Sequence, residues 1–391
     1  MTRKSFLSLT AVVALTLTGC GGGGGSSSSS NGSNTQGGNQ NATNPRAGVA
    51  ECTTYTTPTN TTLSGNINTC TELTKDKVWT LDGLVVVKGT TLKIQPGTKI
   101  IGKSGDSSSA SYMIVDKDAK IMAEGTESEP IIFTSKIAYD GGGDAVGQWG
   151  GLTIIGNDIN DQVKAYEVNS LYGPQPGKKE FRNPNDNSGV LKHVKILNTG
   201  VPVAPDKEIN GLSLIAVGSG TTIEDITVEK SDDDCVEIWG GSVNLTNVTV
   251  RECTDDQFDI DDGYSGTVTN LDIHQTATNS GNAGIEMSGK TAATFKNLTI
   301  VQDASNKEGG IYFKKDGIGG HFENATITDN SNNGAGAIHS RGKFDANNTS
   351  FKNVTLNGSS ADDRFTNDSD KGGSATEIEV IFDAGTGNTK N

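Results

Sequence analysis

Along most of this chain, apolar residues occur in short alternating runs of two or three, each closed by Gly, Asn, Asp or Ser. A period of two marks β-strands with one buried face. The runs themselves repeat. One phrase reads LTNVTV at 245–250, VTNLDI at 268–273, FKNLTI at 295–300, FENATI at 322–327 and FKNVTL at 351–356. Its Asn residues (Asn247, Asn270, Asn297, Asn324 and Asn353) fall 23, 27, 27 and 29 residues apart. Two earlier versions, LKHVKI at 191–196 and IEDITV at 223–228, carry His193 and Asp225 in the Asn position. A second phrase sits between copies of the first: GLSL at 211–214, CVEI at 235–238, QFDI at 257–260, GIEM at 284–287, GIYF at 310–313 and AIHS at 337–340.

Periods of 20 to 50 residues with two short strands each indicate a solenoid. No long stretch shows capped helical periodicity, which removes leucine-rich and helical repeats. The expected fold is all-β, resembling the right-handed parallel β-helix. The recurring Asn then occupies one bend of each coil and stacks on its neighbours, because Asn tolerates the left-handed conformation and its amide bonds along a ladder. Several copies also fit the N-x-T glycosylation pattern, but their register with the apolar positions favours the ladder.

The earlier half carries β-rich phrases broken by Gly and Pro-Gly: WTLDGLVVVKGTTLKIQPGTKIIG at 79–102, YMIVDKDAKIMAEGTESEPIIFTS at 112–135 and WGGLTIIGN at 149–157. Together with NGLSLIAVGSGTTIEDITVEKSDDDCVEIWGG at 210–241, these resemble a group of secreted and lipoprotein parallel β-helix proteins of Gram-negative bacteria. The resemblance implies a fold and an address, not a reaction.

The N-terminus has the pattern of a secretory signal over residues 1–19: Arg3 and Lys4, then an apolar run at 6–17. The run ends Leu17-Thr18-Gly19-Cys20, which resembles the lipobox of bacterial lipoproteins. That implies lipidation of Cys20, and Gly rather than Asp at 21 implies the outer membrane, at its surface or its periplasmic face. Residues 20–50 are Gly, Ser, Asn and Gln with little apolar content, expected as a linker reaching roughly 30 Å. The body is 51–391, with an N-terminal cap over about 51–78. A C-terminal cap is expected over about 359–391, built on the strand-like run EIEVIFD at 377–383.

Charge narrows the partners. The net charge of −15 argues against nucleic acid and against anionic membrane, leaving the lipid as the membrane contact. Four cysteines remain in the body, Cys52, Cys70, Cys235 and Cys253, and the two local separations are both 18. An even count in an exported chain favours disulfides, paired Cys52–Cys70 and Cys235–Cys253, over a metal site. The four His show no zinc-binding spacing, and the chain has no nucleophile elbow, phosphate loop or dinucleotide-binding glycine set.

Chemistry concentrates on the second phrase. Stacking its copies puts Ser213, Glu237, Asp259, Glu286, Tyr312 and His339 in one outward column, and Ile215, Trp239, Asp261, Ser288, Lys314 and Arg341 in the next. Carboxylates stacked at strand spacing repel, so they need a cation or raised pKa values. Two readings stand: a Ca²⁺ site made by Asp233, Asp234, Glu237, Asp256, Asp259 and Asp261, or a set of solvated turn acids. Trp239, Glu286, Tyr312, Lys314, His339 and Arg341 form the candidate ligand face for polysaccharide or another surface component. Trp239 and Tyr312 read more readily as cover for the coil than as sugar platforms.

SDDDCVEIWGG at 231–241 faintly resembles the polygalacturonase phrase around its paired acids, but that family's Gly-His-Gly and Arg-x-Lys phrases are missing. A lyase needs a Lys or Arg near the acids, and strand spacing puts Lys314 and Arg341 about 10 Å or more from Asp259 and Asp261. The leading expectation is a lipid-anchored, non-enzymatic binding or structural module with Ca²⁺. The alternative is a Ca²⁺-dependent polysaccharide lyase or a glycoside hydrolase.

Overall fold

A computed structural model describes residues 52–391, apart from 106–108, 161–181, 205–206, 277–281, 304–307, 331–335 and 359–363. The signal, Cys20 and the linker lie outside the described residues. Among these, 24 strands form one continuous parallel sheet wound into a right-handed β-helix, and one antiparallel pair, Pro202–Ala204 with Lys207–Glu208, stands apart.

The repeat phrases map directly onto the coil. Strands of the first phrase pair in register, with Ile226 on Val248, Val248 on Leu271, Leu271 on Leu298 and Leu298 on Ala325. Their inward apolar residues stack coil on coil. The rings of Phe295, Phe322 and Phe351 stack with centroids 5.3 Å apart at each step, and all three are buried. Each such strand bends at its Asn position: Asn247, Asn270, Asn297, Asn324 and Asn353 have φ between 54° and 58°, and His193 and Asp225 share that conformation at 47° and 56°. The side chains form the expected ladder. Asn270 Nδ2 donates to Asn247 Oδ1 at 2.7 Å, Asn297 to Asn270 at 2.9 Å, Asn324 to Asn297 at 3.2 Å and Asn353 to Asn324 at 2.9 Å.

Earlier coils turn the same corner with a loop. Strands Lys120–Glu124 and Ile131–Ser135 flank residues 125–130, and both pair with the single bent strand Gly189–Leu197 of the next coil. The second phrase forms a separate face, running from Leu152–Ile155 through Leu212–Ile215, Val236–Trp239, Phe258–Asp261, Ala283–Met287 and Gly309–Phe313 to Ile338–Ser340 and Phe365–Asn367.

The structure gives each end its own detail. The region expected as an N-terminal cap already contains coil strands, Thr62–Ile67 and Thr71–Leu73, with the Cys52–Cys70 disulfide joining their approach. At the other end, the run expected as a strand is the helix Ala375–Ala384. Alternation in EIEVIFD also places Ile378 and Phe382 four apart, on one helical face. Ser374 caps the helix through Glu377 N, and those two side chains close the core against Phe351 and Phe365. An edge strand would have left its backbone unpaired, whereas a helix satisfies its own.

Candidate functional site

The second-phrase columns stand as the repeat alignment places them. Glu237 pairs with Ser213 and Asp259, Asp259 with Glu286, Glu286 with Tyr312, and Tyr312 with His339. Burial is the surprise. Outward-pointing residues of an isolated strand face water, yet here Asp259 is 8% exposed, Asp261 7%, Glu286 1% and Tyr312 2%.

At the N-terminal end the cover is visible. Val86, Ile114, Ile155, Ile215 and Trp239 form a second apolar cluster with Ile159, which follows the strand Leu152–Ile155, and with Ile209 and Val203, which follow the strand Gly189–Leu197. Trp239 is thus a core residue of this outer layer, 5% exposed, and not a ligand platform. Tyr312, expected at the ligand face, is likewise buried, its ring tilted against His339 with centroids 5.2 Å apart.

The carboxylates gather in three groups, each contributing oxygens within 4.8 Å of one another: Asp233, Asp234 and Asp255; Asp234, Glu237 and Asp259; and Asp256, Glu286 and Glu308. Five of the six residues expected as Ca²⁺ ligands take part. Asp261 does not. Its Oδ1 accepts from Asp262 N at 2.5 Å, and Lys315 Nζ lies 3.6 Å from its Oδ2. Glu286, expected on the ligand face, belongs with the acids instead. Asp255 and Glu308 are additions. Both lie three residues before the first inward residue of their strands (Phe258 and Ile311), as Asp233 does before Val236, so extending the repeat alignment upstream would have found them.

Some of these oxygens serve the turns. Asp234 Oδ1 accepts from Asp256 N at 2.8 Å, Asp256 Oδ1 accepts from Ala283 N at 2.6 Å, and Asn210 Nδ2 donates to Glu237 Oε2 at 2.5 Å. The Cys235–Cys253 disulfide, fully buried, ties the two coils that carry the first two groups. Turn geometry does not use everything: Asp259 Oδ1 and Glu286 Oε2 are buried with no hydrogen-bond donor.

Burial, reinforced by neighbouring carboxylates, pushes Asp234, Glu237, Asp256 and Asp259 well above the usual carboxylate range. Glu286 is raised by burial too, with Lys314 opposing, and it faces Asp256 in a contact that needs a shared proton or a cation. Half-buried Glu308 is pushed up to about 7 by burial and by Glu286.

Lys314 engages Glu286, the acid one coil before it, rather than Asp259 or Asp261. Its register position lies one coil beyond Glu286, but the long side chain reaches back to place Nζ 2.5 Å from Glu286 Oε1. Burial works against its charge, yet Glu286 outweighs burial and holds the ammonium well above its ordinary value. His339 Nδ1 pairs with Thr366 Oγ1 at 2.7 Å, and burial lowers its pKa. Arg341 bonds the Tyr312 hydroxyl.

A family model described as a pectate-lyase-like β-helix domain matches residues 65–391, and that description fits a polysaccharide-related role. No curated protein and no solved structure matches the chain. The parallel coils, the register of both repeat phrases and the extent of that match place the chain in the pectate-lyase-like β-helix domain family.

Proposed function

We propose that this protein is a calcium-loaded binding module that engages acidic polysaccharide at the carboxylate face. The observation that carries the reading is the buried, donorless oxygen of Asp259 inside a cluster of like charges. An ionised carboxylate without partners is costly to bury, and a cation removes that cost while satisfying several oxygens together. The donors are all oxygen, which suits Ca²⁺, whose six to eight ligands at about 2.3–2.6 Å tolerate irregular arrangements. Asp234, Glu237 and Asp259 would hold one ion, with Asp233 and Asp255 beside them. Asp256, Glu286 and Glu308 offer a second position, already part-neutralised by Lys314. A calcium ion not fully ringed by protein accepts carboxylates from a uronate chain, the one way an acidic face attracts an acidic polymer. The same proposal takes Leu17-Thr18-Gly19-Cys20 as the lipid attachment that holds the body at the outer membrane.

One observation favours cleavage as a second reading. Glu308, at about 7, has the pKa a general acid or base needs at neutral pH, and Glu286, Lys314 and Arg341 all act on it electrostatically. A lyase or glycoside hydrolase would use that carboxyl rather than Lys314.

Calorimetric titration of the full-length protein with Ca²⁺, then with polygalacturonate in Ca²⁺ and in chelator, separates these readings. Ca²⁺ uptake with polymer binding only in its presence is expected. Absence of Ca²⁺ uptake would sink both the metal and the bridging role. Release of unsaturated or reducing ends during the polymer titration would move the protein to the enzyme reading.

A further inference from the structure

Far from the carboxylate face, the first-phrase corner carries a groove of about 450 Å³ that the acidic site does not use. Its origin is a mismatch between coils. At residues 125–130 the corner is a protruding loop, whereas in the next coil the same corner is the single residue His193. Thr126 and Pro130 therefore overhang the start of the Asn ladder, and the floor beneath them is His193, Lys195, Asp225 and Thr249.

A second, independent feature coincides with this groove. Five corners further along are Asn, the residue that best tolerates a left-handed backbone while bonding to itself along a stack. Four corners line the groove, His193, Asp225, Asn247 and Asn270, and the repeat departs from Asn at the first two. Asp225 still serves the ladder, accepting from Asn247 Nδ2 at 2.8 Å through Oδ1. Its Oδ2 turns to His193 Nε2, 3.4 Å away. The ladder thus begins inside the groove with two side chains, an imidazole and a carboxylate, that the later coils do not repeat.

We infer that the groove under residues 126–130 binds a neutral saccharide segment, recognised by His193, Asp225, Lys195 and the Thr and Asn side chains that continue along the coils. The chemistry follows from the lining. Lys195 stands among Glu127 and Asp225, so the groove carries charges of both signs rather than a cationic patch for an acidic polymer. It presents donors and acceptors together, which matches sugar hydroxyls, each of which both donates and accepts. The volume is within the range of small-molecule sites. The open end leads onto an outward column of one residue per coil, Thr227, Thr249, Asp272, Thr299, Thr326 and Thr355. This deepens the polysaccharide reading by adding an uncharged subsite, but it does not depend on calcium or on the acidic face.

The histidines allow the two sites to be read separately: His193 lies in the groove and His339 on the carboxylate face. Their ring resonances in the full-length protein should be followed while cellohexaose, chitohexaose and mannohexaose are titrated in turn, without calcium. The expected result is a saturable shift of the His193 signals by at least one of these sugars, with His339 unmoved. Asp225→Asn keeps an acceptor for the ladder and should weaken that sugar about tenfold, the effect of one lost charged hydrogen bond. Thr249→Trp, which fills the floor, should abolish the shift. No movement of His193 with any of the three, or unchanged affinity in both variants, overturns the inference. Failure of polygalacturonate to move His339 in calcium would count against the acidic face alone.

Discussion

Two faces of one coil solve the same stacking problem in opposite ways. At the Asn corners, identical side chains recur every coil and bond to one another at 2.7–3.2 Å. An amide both donates and accepts, so a column of amides satisfies itself. On the second-phrase face the column is Glu237, Asp259 and Glu286, and an ionised carboxylate only accepts. That column must import its donors: the Asn210 amide at Glu237 and the Lys314 ammonium at Glu286, while the neighbouring turn acids Asp234 and Asp256 accept from the backbone N–H of Asp256 and Ala283. A self-sufficient ladder is architecture. An acceptor-only ladder under cover depends on donors from outside itself.

The contrast is sharpened most by changing what the acidic column imports. Loading with Ca²⁺ at about a hundred times its dissociation constant should stabilise the fold by roughly 2.7 kcal/mol by linkage alone, and chelation should remove that gain, as read by thermal melting. Asp259→Asn should behave in two directions. It raises the melting point in chelator by relieving buried repulsion, and it erases the calcium-dependent gain. A variant destabilised in chelator would break the comparison.

Next in size is loss of the Cys235–Cys253 disulfide, which joins the coils bearing the first two acid groups. Replacing both by Ser should cost about 3 kcal/mol in denaturant unfolding for a loop of this length and weaken calcium binding with it. Lys314→Met leaves Glu286 buried without its cation and should cost about 2 kcal/mol, less than for a fully buried pair because Lys314 is partly exposed. Adding Glu286→Gln should recover most of that loss. On the self-sufficient face, Asn297→Ala breaks two amide bonds and puts Ala in a left-handed position, an effect of about 1–2 kcal/mol with no change in calcium affinity.

The pH dependence of the chelated protein has a definite sign. Carboxyls raised in the folded state hold protons that the unfolded chain has already released, so folding is weakened as pH climbs. For Glu308 that stability is complete below about 4.5 and is lost as pH rises through about 7. Melting in chelator should therefore fall between those values, and calcium should flatten the curve by displacing the protons.

Much of this was legible in the residues because a solenoid repeats its environment. Asn247, Asn270, Asn297, Asn324 and Asn353 announce one backbone conformation at one corner, and aligning the second phrase gave the columns Ser213 to His339 in their correct register. The equal separations of the cysteines led to the pairings that the structure contains. Period-two patterning failed where the pattern is short and has a second explanation. EIEVIFD alternates like a strand, yet it buries Ile378 and Phe382 from a helix because the end of a coil has no further strand to pair with.

What the sequence determined by itself is the coil: which residues point inward, which share a column, and where the chain turns. Local period and repeat spacing dictate those things, since every coil meets nearly the same neighbours. Exposure was decided only in three dimensions. Trp239 packs with Ile159 and Ile209, distant in sequence, and Lys314 crosses from its own coil to pair with Glu286. The carboxylates became a buried cluster rather than a solvated fringe. Direction along a strand is set by the backbone, but what lies opposite a side chain is set by segments far away in sequence, and burial is what turns a column of acids into chemistry.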